Sequence, residues 1–496
     1  MLRLGWRLAA IVVAIAGIGY RLVEFGRYGF WTDEAWVALA TRVDGWEQFK
    51  LAASHTPIAW VGLLRLVPSA VAPEVGLRAI PLVFSCLTLA VAWRLGLRLA
   101  GHPLGGLLSV AALALDPLAI AFAKVLKQYS AEGFWALWAL ERLVAVTHGG
   151  GPVALAGLVS VLCLGVPFAG TQLFVAPPVL AALVLVAAMR GDRAALRSAL
   201  LATVVVGLFD VAAYALLVAP HLSPALTAYF EGKYVPGGSI GEAGAYVFAQ
   251  LDKHLGNALG PLGWMVALGV MLVASVLDRR VRPLGLAVLG LAAEVVILSR
   301  QRIVPFGEPR VLVFLYAALV VGAAASVGTA AVRLSERRGI VPLLAAVLIV
   351  LVADAARHKS WRELGATPFV EDAGPLIRLL EASRGPDDRV LVYGRSHYTF
   401  AYYANATPVL EPAPGTTIGY RPRLDDPQVV LIDASDADQR VREAFASSER
   451  GWFLGSRVLR EDTLRLNFAL SRYAQVVRTE RRQNASLLEL RRRPPP

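Results

Sequence analysis

The sequence predicts an α-helical polytopic membrane protein of about eleven transmembrane helices, followed by a water-soluble α/β domain at its C-terminal end. Three observations predict it. The 496 residues are 56% hydrophobic and only 17% charged, with a mean hydropathy of +0.56, whereas soluble domains run near ~45–50% apolar and ~25% charged. Long apolar stretches recur through the first 357 positions, and ~20 apolar residues rising ~1.5 Å each span the ~30 Å hydrocarbon core. Charge is unevenly spread: residues 358–496 hold 39 Lys, Arg, Asp and Glu, against 47 in the much longer block before them. A soluble enzyme, a disordered scaffold and a nucleic-acid-binding domain are thereby excluded for the chain as a whole. In a polytopic protein a net charge of +12 reflects loop arginines and anionic lipid rather than nucleic acid.

The expected spans fall at 8–25, 78–98, 104–122, 131–147, 152–169, 172–189, 199–219, 259–278, 283–299, 311–332 and 340–356. The first follows Arg3 and Arg7, lacks a small-residue cleavage site and reads as an uncleaved anchor. Residues 57–72, interrupted by Arg65 and Pro68, read as an interfacial helix. The domain boundary is expected near Ala356-Arg357-His358-Lys359, giving a membrane domain over 1–357 and a soluble domain over 358–496. Cys86 and Cys163 lie inside apolar runs, without metal-site or disulfide spacing.

Short basic loops set the orientation. Arg190, Arg193 and Arg197 share one loop, Arg279, Arg280 and Arg282 a second, and Arg333, Arg337 and Arg338 a third. With eleven spans these loops and the N-terminus fall on one side, which the positive-inside rule makes cytoplasmic. The expected location is thus the cytoplasmic (inner) membrane, with residues 26–77, 123–130, 220–258, 300–310 and the C-terminal domain on the extracytoplasmic side. Lys124, Lys127, Arg300, Arg302 and Arg310 lie on that outer side against the rule, and a bound anion would account for them.

Four outer segments carry groups suited to chemistry. In Phe30-Trp31-Thr32-Asp33-Glu34-Ala35-Trp36, Thr32 reads as a helix N-cap with both acids in the first turn. Neighbours on a helix point ~100° apart, so one carboxylate can act as a general base while the other holds a cation, a metal or a side chain. An interfacial helix start with aromatic anchors explains the segment equally well. In Ser54-His55-Thr56-Pro57, His55 is either a phosphate or acceptor contact or a loop hydrogen-bonder. In the segment from Lys124 to Glu132, Lys124, Lys127 and Tyr129 suit a phosphate at headgroup depth, against ordinary snorkelling. In Ser299 to Arg310, the Arg310 guanidinium can grip a phosphate by two parallel hydrogen bonds, or Glu308 can pair with an arginine. Asp116, Glu141, Asp210 and Glu294 lie within or near spans, where acids are functional candidates by default. Asn405-Ala406-Thr407 and Asn484-Ala485-Ser486 match the glycosylation triplet.

Asp33-Glu34-Ala35, His55-Thr56-Pro57, Lys127-Gln128-Tyr129-Ser130 and the run from Pro305-Phe306 to Arg310 occur in order on one face. Over roughly residues 8–320 this arrangement resembles the GT-C class of membrane glycosyltransferases. The resemblance is to the branch with protein O-mannosyltransferases, aminoarabinose transferases and rhizobial lipopolysaccharide galacturonosyltransferases. Mannosyltransferases show His-Pro-Pro where this chain has His55-Thr56-Pro57. The resemblance implies a hexosyl or pentosyl transferase using a polyprenyl-phosphate-linked sugar donor and a lipid, glycan or protein acceptor. It implies Asp33 as general base with Glu34 beside it, and Lys127, Tyr129, Arg302, Arg310 and Lys124 at the donor phosphate. His55 and Trp36 would meet acceptor or sugar. Enzymes of the class differ in metal use, and a divalent ion, where present, would be held by Asp33 and Glu34. The rival from another class is a transporter or flippase of a lipid-linked or anionic substrate. Transporters place their sites near the midplane between related halves, and neither feature is evident here.

In the C-terminal block Val390 to Tyr393, Val429 to Ile432 and Trp452 to Leu454 read as strands, with helices near 371–383, 436–447 and 459–472 and a closing hairpin over 474–480 and 485–491. A partly parallel sheet between helical layers follows. The segment from Tyr393 to Tyr398 ends the first strand, where ligands often sit, and Tyr402-Tyr403 reads either as a sugar-stacking pair or as buried packing. The tail from Arg491 to Pro496 is expected to be disordered.

Overall fold

The computed structural model describes residues 2–68, 70–222, 224–338, 366–367, 369–404 and 408–494. The expected span at 340–356, the boundary at 356–359 and the triplet at 405–407 lie outside the described residues. The chain divides into two compact units, residues 1–25 with 78–366, and residues 26–77 with 367–496. The first outer segment is therefore part of the same unit as the C-terminal block.

The chain opens in α1 (Leu2–Leu22) and passes through three short helices, α2 (Thr32–Ala40), α3 (Trp46–Ala52) and α4 (Ile58–Leu64). There follow α5 (Pro73–Ala100), α6 (Pro103–Ala114), α7 (Pro117–Phe122), α8 (Tyr129–Thr147), α9 (Gly151–Gly165) and α10 (Gln172–Met189). After them come α11 (Arg193–Ala213), α12 (Pro224–Tyr229), α13 (Ile240–Leu259), α14 (Gly263–Leu277), α15 (Arg282–Arg300) and α16 (Val313–Arg338). Among the described residues six helices are long and apolar enough to cross a membrane, or seven if α13 and α14, bent by 100°, form one broken span. Ten of the eleven expected spans fall within the described residues, and fewer than ten helices there meet that length and apolarity.

The expected span at 104–122 is two helices, for a local reason. Pro117 has no N–H to give the Leu113 carbonyl and starts α7 with Asp116 as its cap, the Leu118 N–H donating to Asp116 Oδ1 at 3.0 Å. The freed carbonyls are taken by Arg21, which is fully buried. Its guanidinium donates to the carbonyls of Leu113 and Ala114, both at 3.1 Å, of Gly17 at 2.9 Å, and to Ser85 Oγ at 2.8 Å. At the break α1 and α6 approach so closely that a Cβ on Gly17 would lie 2.7 Å from Ala114 Cβ. The expected span at 131–147 is α8, which is apolar but carries Glu132, Glu141 and Arg142 and is buried along most of its length. Glu141 is buried against Arg142, Arg98 and Arg94, a structural arrangement.

The three basic loops gather at one end of this unit. Arg190 donates to the Thr147 carbonyl at 2.7 Å, the His148 ring meets the Arg280 carbonyl at 3.1 Å, and Arg333 pairs with Asp278 at 2.9 Å.

The other unit holds α17 (Gly374–Ser383), β1 (Arg389–Tyr393), α18 (His397–Ala404), β2 (Leu410–Pro412), β3 (Tyr420–Pro422) and β4 (Val429–Ile432), then α19 (Ala437–Ala446), β5 (Arg450–Ser456), α20 (Arg460–Tyr473), β6 (Ala474–Arg482) and β7 (Ala485–Arg492). Five strands form one sheet in the order β4-β1-β5-β7-β6, and β2 pairs with β3. β1 runs parallel to β4 and β5, while β7 runs antiparallel to β5 and β6. Side chains alternate across the sheet. Val390, Val392, Trp452 and Leu454 pack with α17 and Phe400, and Leu391, Tyr393 and Phe453 pack with α19 and α20. The sheet is covered on both faces, and the expected strands, helices and hairpin are present. The tail differs: Arg491 and Arg492 complete β7, with the Arg492 N–H on the Glu449 carbonyl at 2.9 Å.

Trp452 is the central anchor of this core, its indole N–H donating to Asp388 Oδ2 at 2.9 Å. Trp452→Ala is expected to cost about 3–5 kcal/mol of that unit's stability, measured as a lowered thermal midpoint of the purified protein.

Candidate functional site

In the unit of residues 26–77 and 367–496, α2 begins one residue earlier than expected. Its N-cap is Trp31, not Thr32, and Glu34 reaches back to the Trp31 N–H at 3.4 Å. That reach buries Glu34, which is 1% exposed, while Asp33 is partly exposed. The two adjacent acids thus have different environments, as the ~100° turn between them requires.

Side chains from the C-terminal block receive the segment before α2. The Gly29 N–H donates to Asp372 Oδ1 at 3.0 Å, and the Phe30 N–H to Tyr403 Oη at 2.9 Å. Thr32 donates to Glu371 Oε2 from its N–H at 3.4 Å, and its Oγ1 lies 3.0 Å from the same oxygen and 2.9 Å from the Arg395 carbonyl. Burial raises the proton affinity of Glu371; the Thr32 hydrogen bonds and Arg457 oppose this and the Asp33 charge adds to it. Burial holds the Tyr403 phenol well above its usual value, so it stays protonated and donates to Glu74 Oε1 at 2.9 Å. Phe30 packs edge-on to Tyr402, and Trp31 stacks on Phe369. Tyr402 and Tyr403 thus pack against the segment that leads into α2. The Arg395 carbonyl, in the segment ending β1, lies beside the Thr32 hydroxyl, and Ser396 Oγ is 3.1 Å from Ser456 Oγ. Trp36 is buried, its carbonyl accepting from Tyr420 Oη at 3.2 Å. His55 lies beside the β2–β3 turn, where a Cβ on Gly419 would be 3.6 Å from its Nε2.

The helical unit carries the cationic residues. Lys124 and Lys127 are buried in the turn between α7 and α8. Tyr129 meets Phe122 edge-on at 4.9 Å and shares a cluster with Val125 and Val313, which brings this turn against the start of α16. Three residues before Val313, Arg310 pairs with Glu308 at 3.2 Å and donates to Tyr229 Oη at 3.1 Å. Arg302 pairs with Glu231 and lies over Tyr234, and Arg300 donates to the carbonyls of Gly237 and Gly238. The arginine loop is thereby laced to residues 229–238. Ser299 Oγ completes the lacing, accepting from the Val235 N–H at 3.0 Å and the Phe306 N–H at 3.2 Å. The sequence anticipated the Glu308 pairing and, as one of two alternatives, the buried packing of Tyr403, but missed Tyr229, Glu231, Glu371 and Asp372. Their signal was limited to acids and tyrosines in segments already placed on the outer side.

Glu34 is occupied at the helix cap, and among the described residues no group of three or more His, Cys, Asp or Glu is arranged to hold a metal ion.

No protein-family model and no curated protein matches this chain. Solved structures do. ArnT from Cupriavidus metallidurans bound to undecaprenyl phosphate is similar with a TM-score of 0.58 and 13% identity, over 98% of each chain. The same protein in the apo state gives 0.58 and 14%, over 99% of this chain and 98% of that one. The Archaeoglobus fulgidus oligosaccharyltransferase, in complex with Zn and sulfate, gives 0.54 and 11%, over 94% of this chain and 71% of that one. The chain has the fold of the GT-C membrane glycosyltransferases.

Two predictions follow from these contacts. Ser299→Ala leaves two buried N–H groups without their acceptor, at about 1–3 kcal/mol each; amide exchange at Val235 and Phe306 is expected to accelerate, and unchanged protection would refute the lacing. Burial lowers the Lys124 ammonium to about 8, with Glu24 opposing and Arg21 adding. Between about 8 and the ordinary lysine value of ~10.4 the unfolded chain binds more protons, so stability rises with pH there. Lys124→Met is expected to flatten that rise in melting curves recorded from pH 7.5 to about 10.

Proposed function

We propose that this chain is a membrane glycosyltransferase that moves a sugar from a polyprenyl-phosphate carrier to an acceptor hydroxyl on the extracytoplasmic face of the cytoplasmic membrane, with Asp33 as general base. The observation that carries the reading is the fold shared with ArnT along 98% of both chains. The contrast between a partly exposed Asp33 and a buried, cap-bound Glu34 supports the assignment of the base.

In this mechanism Asp33 takes the proton of the acceptor hydroxyl, whose oxygen attacks the anomeric carbon of the donor sugar. The bond from that carbon to the carrier's phosphate oxygen breaks, and the phosphate leaves with the electron pair. Lys127 and Arg310, with Lys124, Arg302 and Tyr129, stabilise the developing charge. That role accounts for cations on the outer side against the positive-inside rule. Glu34 keeps the turn in shape, and Trp36 and His55 belong to the acceptor or sugar side. The acceptor is a lipid, a glycan or a protein.

Sugar transfer in isolated membranes tests this, using labelled polyprenyl-phosphate sugars and matched expression. Asp33→Asn is expected to lower transfer by about 10²–10⁴-fold while the protein remains folded. Wild-type turnover in that variant would remove Asp33 from the role.

A further inference from the structure

We propose that Glu371 is a positioning residue for Asp33, acting through Thr32; the inference rests on the reading of Asp33 as general base. Glu371 is 2% exposed, and a carboxylate at such a position is tolerated only with hydrogen-bond donors around it. Those donors are the N–H and hydroxyl of Thr32 at 3.4 and 3.0 Å and Ser456 Oγ at 3.4 Å, with Arg457 Nη1 at 3.6 Å. Thr32 immediately precedes Asp33, so the clamp holds the peptide unit to which the base is attached.

The clamp fixes the rotational phase of α2. This helix has only nine residues, too few to set its own orientation by cooperative hydrogen bonding. A shift of one residue turns its face by ~100° and would exchange Asp33 for Thr32 or Glu34. Anchoring the side chain and the N–H of its first residue to one buried carboxylate prevents that shift. The neighbouring Asp372, on the Gly29 N–H at 3.0 Å, holds the incoming chain in the same way. Glu371 itself touches neither donor nor acceptor in this scheme. The C-terminal domain thereby acts as the seat that selects which of two adjacent acids is presented.

The test uses the full-length protein with E371A, E371Q and T32V, in steady-state transfer from a polyprenyl-phosphate-linked sugar and in amide exchange over residues 29–36. E371A is expected to lower kcat by about 10- to 100-fold with the donor KM unchanged. E371Q, whose amide oxygen still accepts from Thr32, is expected to recover most of kcat. T32V is expected to lower kcat and to add little to E371A, because both break one clamp. Exchange over 29–36 is expected to accelerate in E371A and T32V but not in E371Q. Should E371A fail to fold, T32V and E371Q carry the comparison. Wild-type kcat and exchange in T32V, a loss confined to donor KM, or additive losses would overturn the proposal. A wild type inactive with every donor sinks the base assignment instead, and the exchange readout still decides whether Glu371 fixes the turn.

Discussion

Four consecutive backbone N–H groups, Gly29 to Thr32, need acceptors in a segment too irregular to supply them. Each finds a side chain: Asp372, Tyr403, Glu34 and Glu371 in turn. Buried backbone donors are rarely left unpaired because the cost is that of a lost hydrogen bond. Here the obligation is met by three acids and a phenol, and meeting it determines much else. It fixes where α2 starts, removes Glu34 from solvent, leaves Asp33 partly exposed, and commits Tyr402 and Tyr403 to packing. The carboxyl end of β1, where α/β sheets commonly receive ligands, is used to receive this segment of the same chain.

The helical unit solves a parallel problem with the opposite charge. Pro117 interrupts the α6–α7 run and frees carbonyls at a depth where water is scarce, and a buried arginine from α1 takes them. Around residues 299–310 the arginines are held by Glu308, Glu231, the Tyr229 hydroxyl and glycine carbonyls. These contacts hold several cations in a fixed arrangement against residues 229–238 and Glu308.

The sequence made local features legible and concealed distant ones. The strands at 389–393, 429–432 and 450–456 and their helices were readable because alternation and turn residues lie within each segment. The Glu308–Arg310 pair was readable because its members are two residues apart. Thr32 was misread as the N-cap because Ser and Thr at that place normally cap, whereas its hydroxyl is drawn off by Glu371, 339 positions later. The break at Asp116-Pro117 was missed because hydropathy alone does not register a proline's lost N–H. Tyr229, Glu231 and Asp372 were missed because their partners lie tens to hundreds of residues away.

The spacing of the contacts around Gly29 bears on biosynthesis. Gly29 and its acceptor Asp372 are 343 residues apart, and at roughly 5–20 residues per second the ribosome needs roughly 17–70 s to cover that distance. Throughout that interval the acidic segment has been made and its partners have not. The acceptors of its Gly29 and Thr32 N–H groups do not exist until residues 371 and 372 have been made. A chain cut short before Glu371 therefore lacks the acceptors of Gly29, Phe30 and Thr32, and of the four contacts only the local reach of Glu34 to the Trp31 N–H remains.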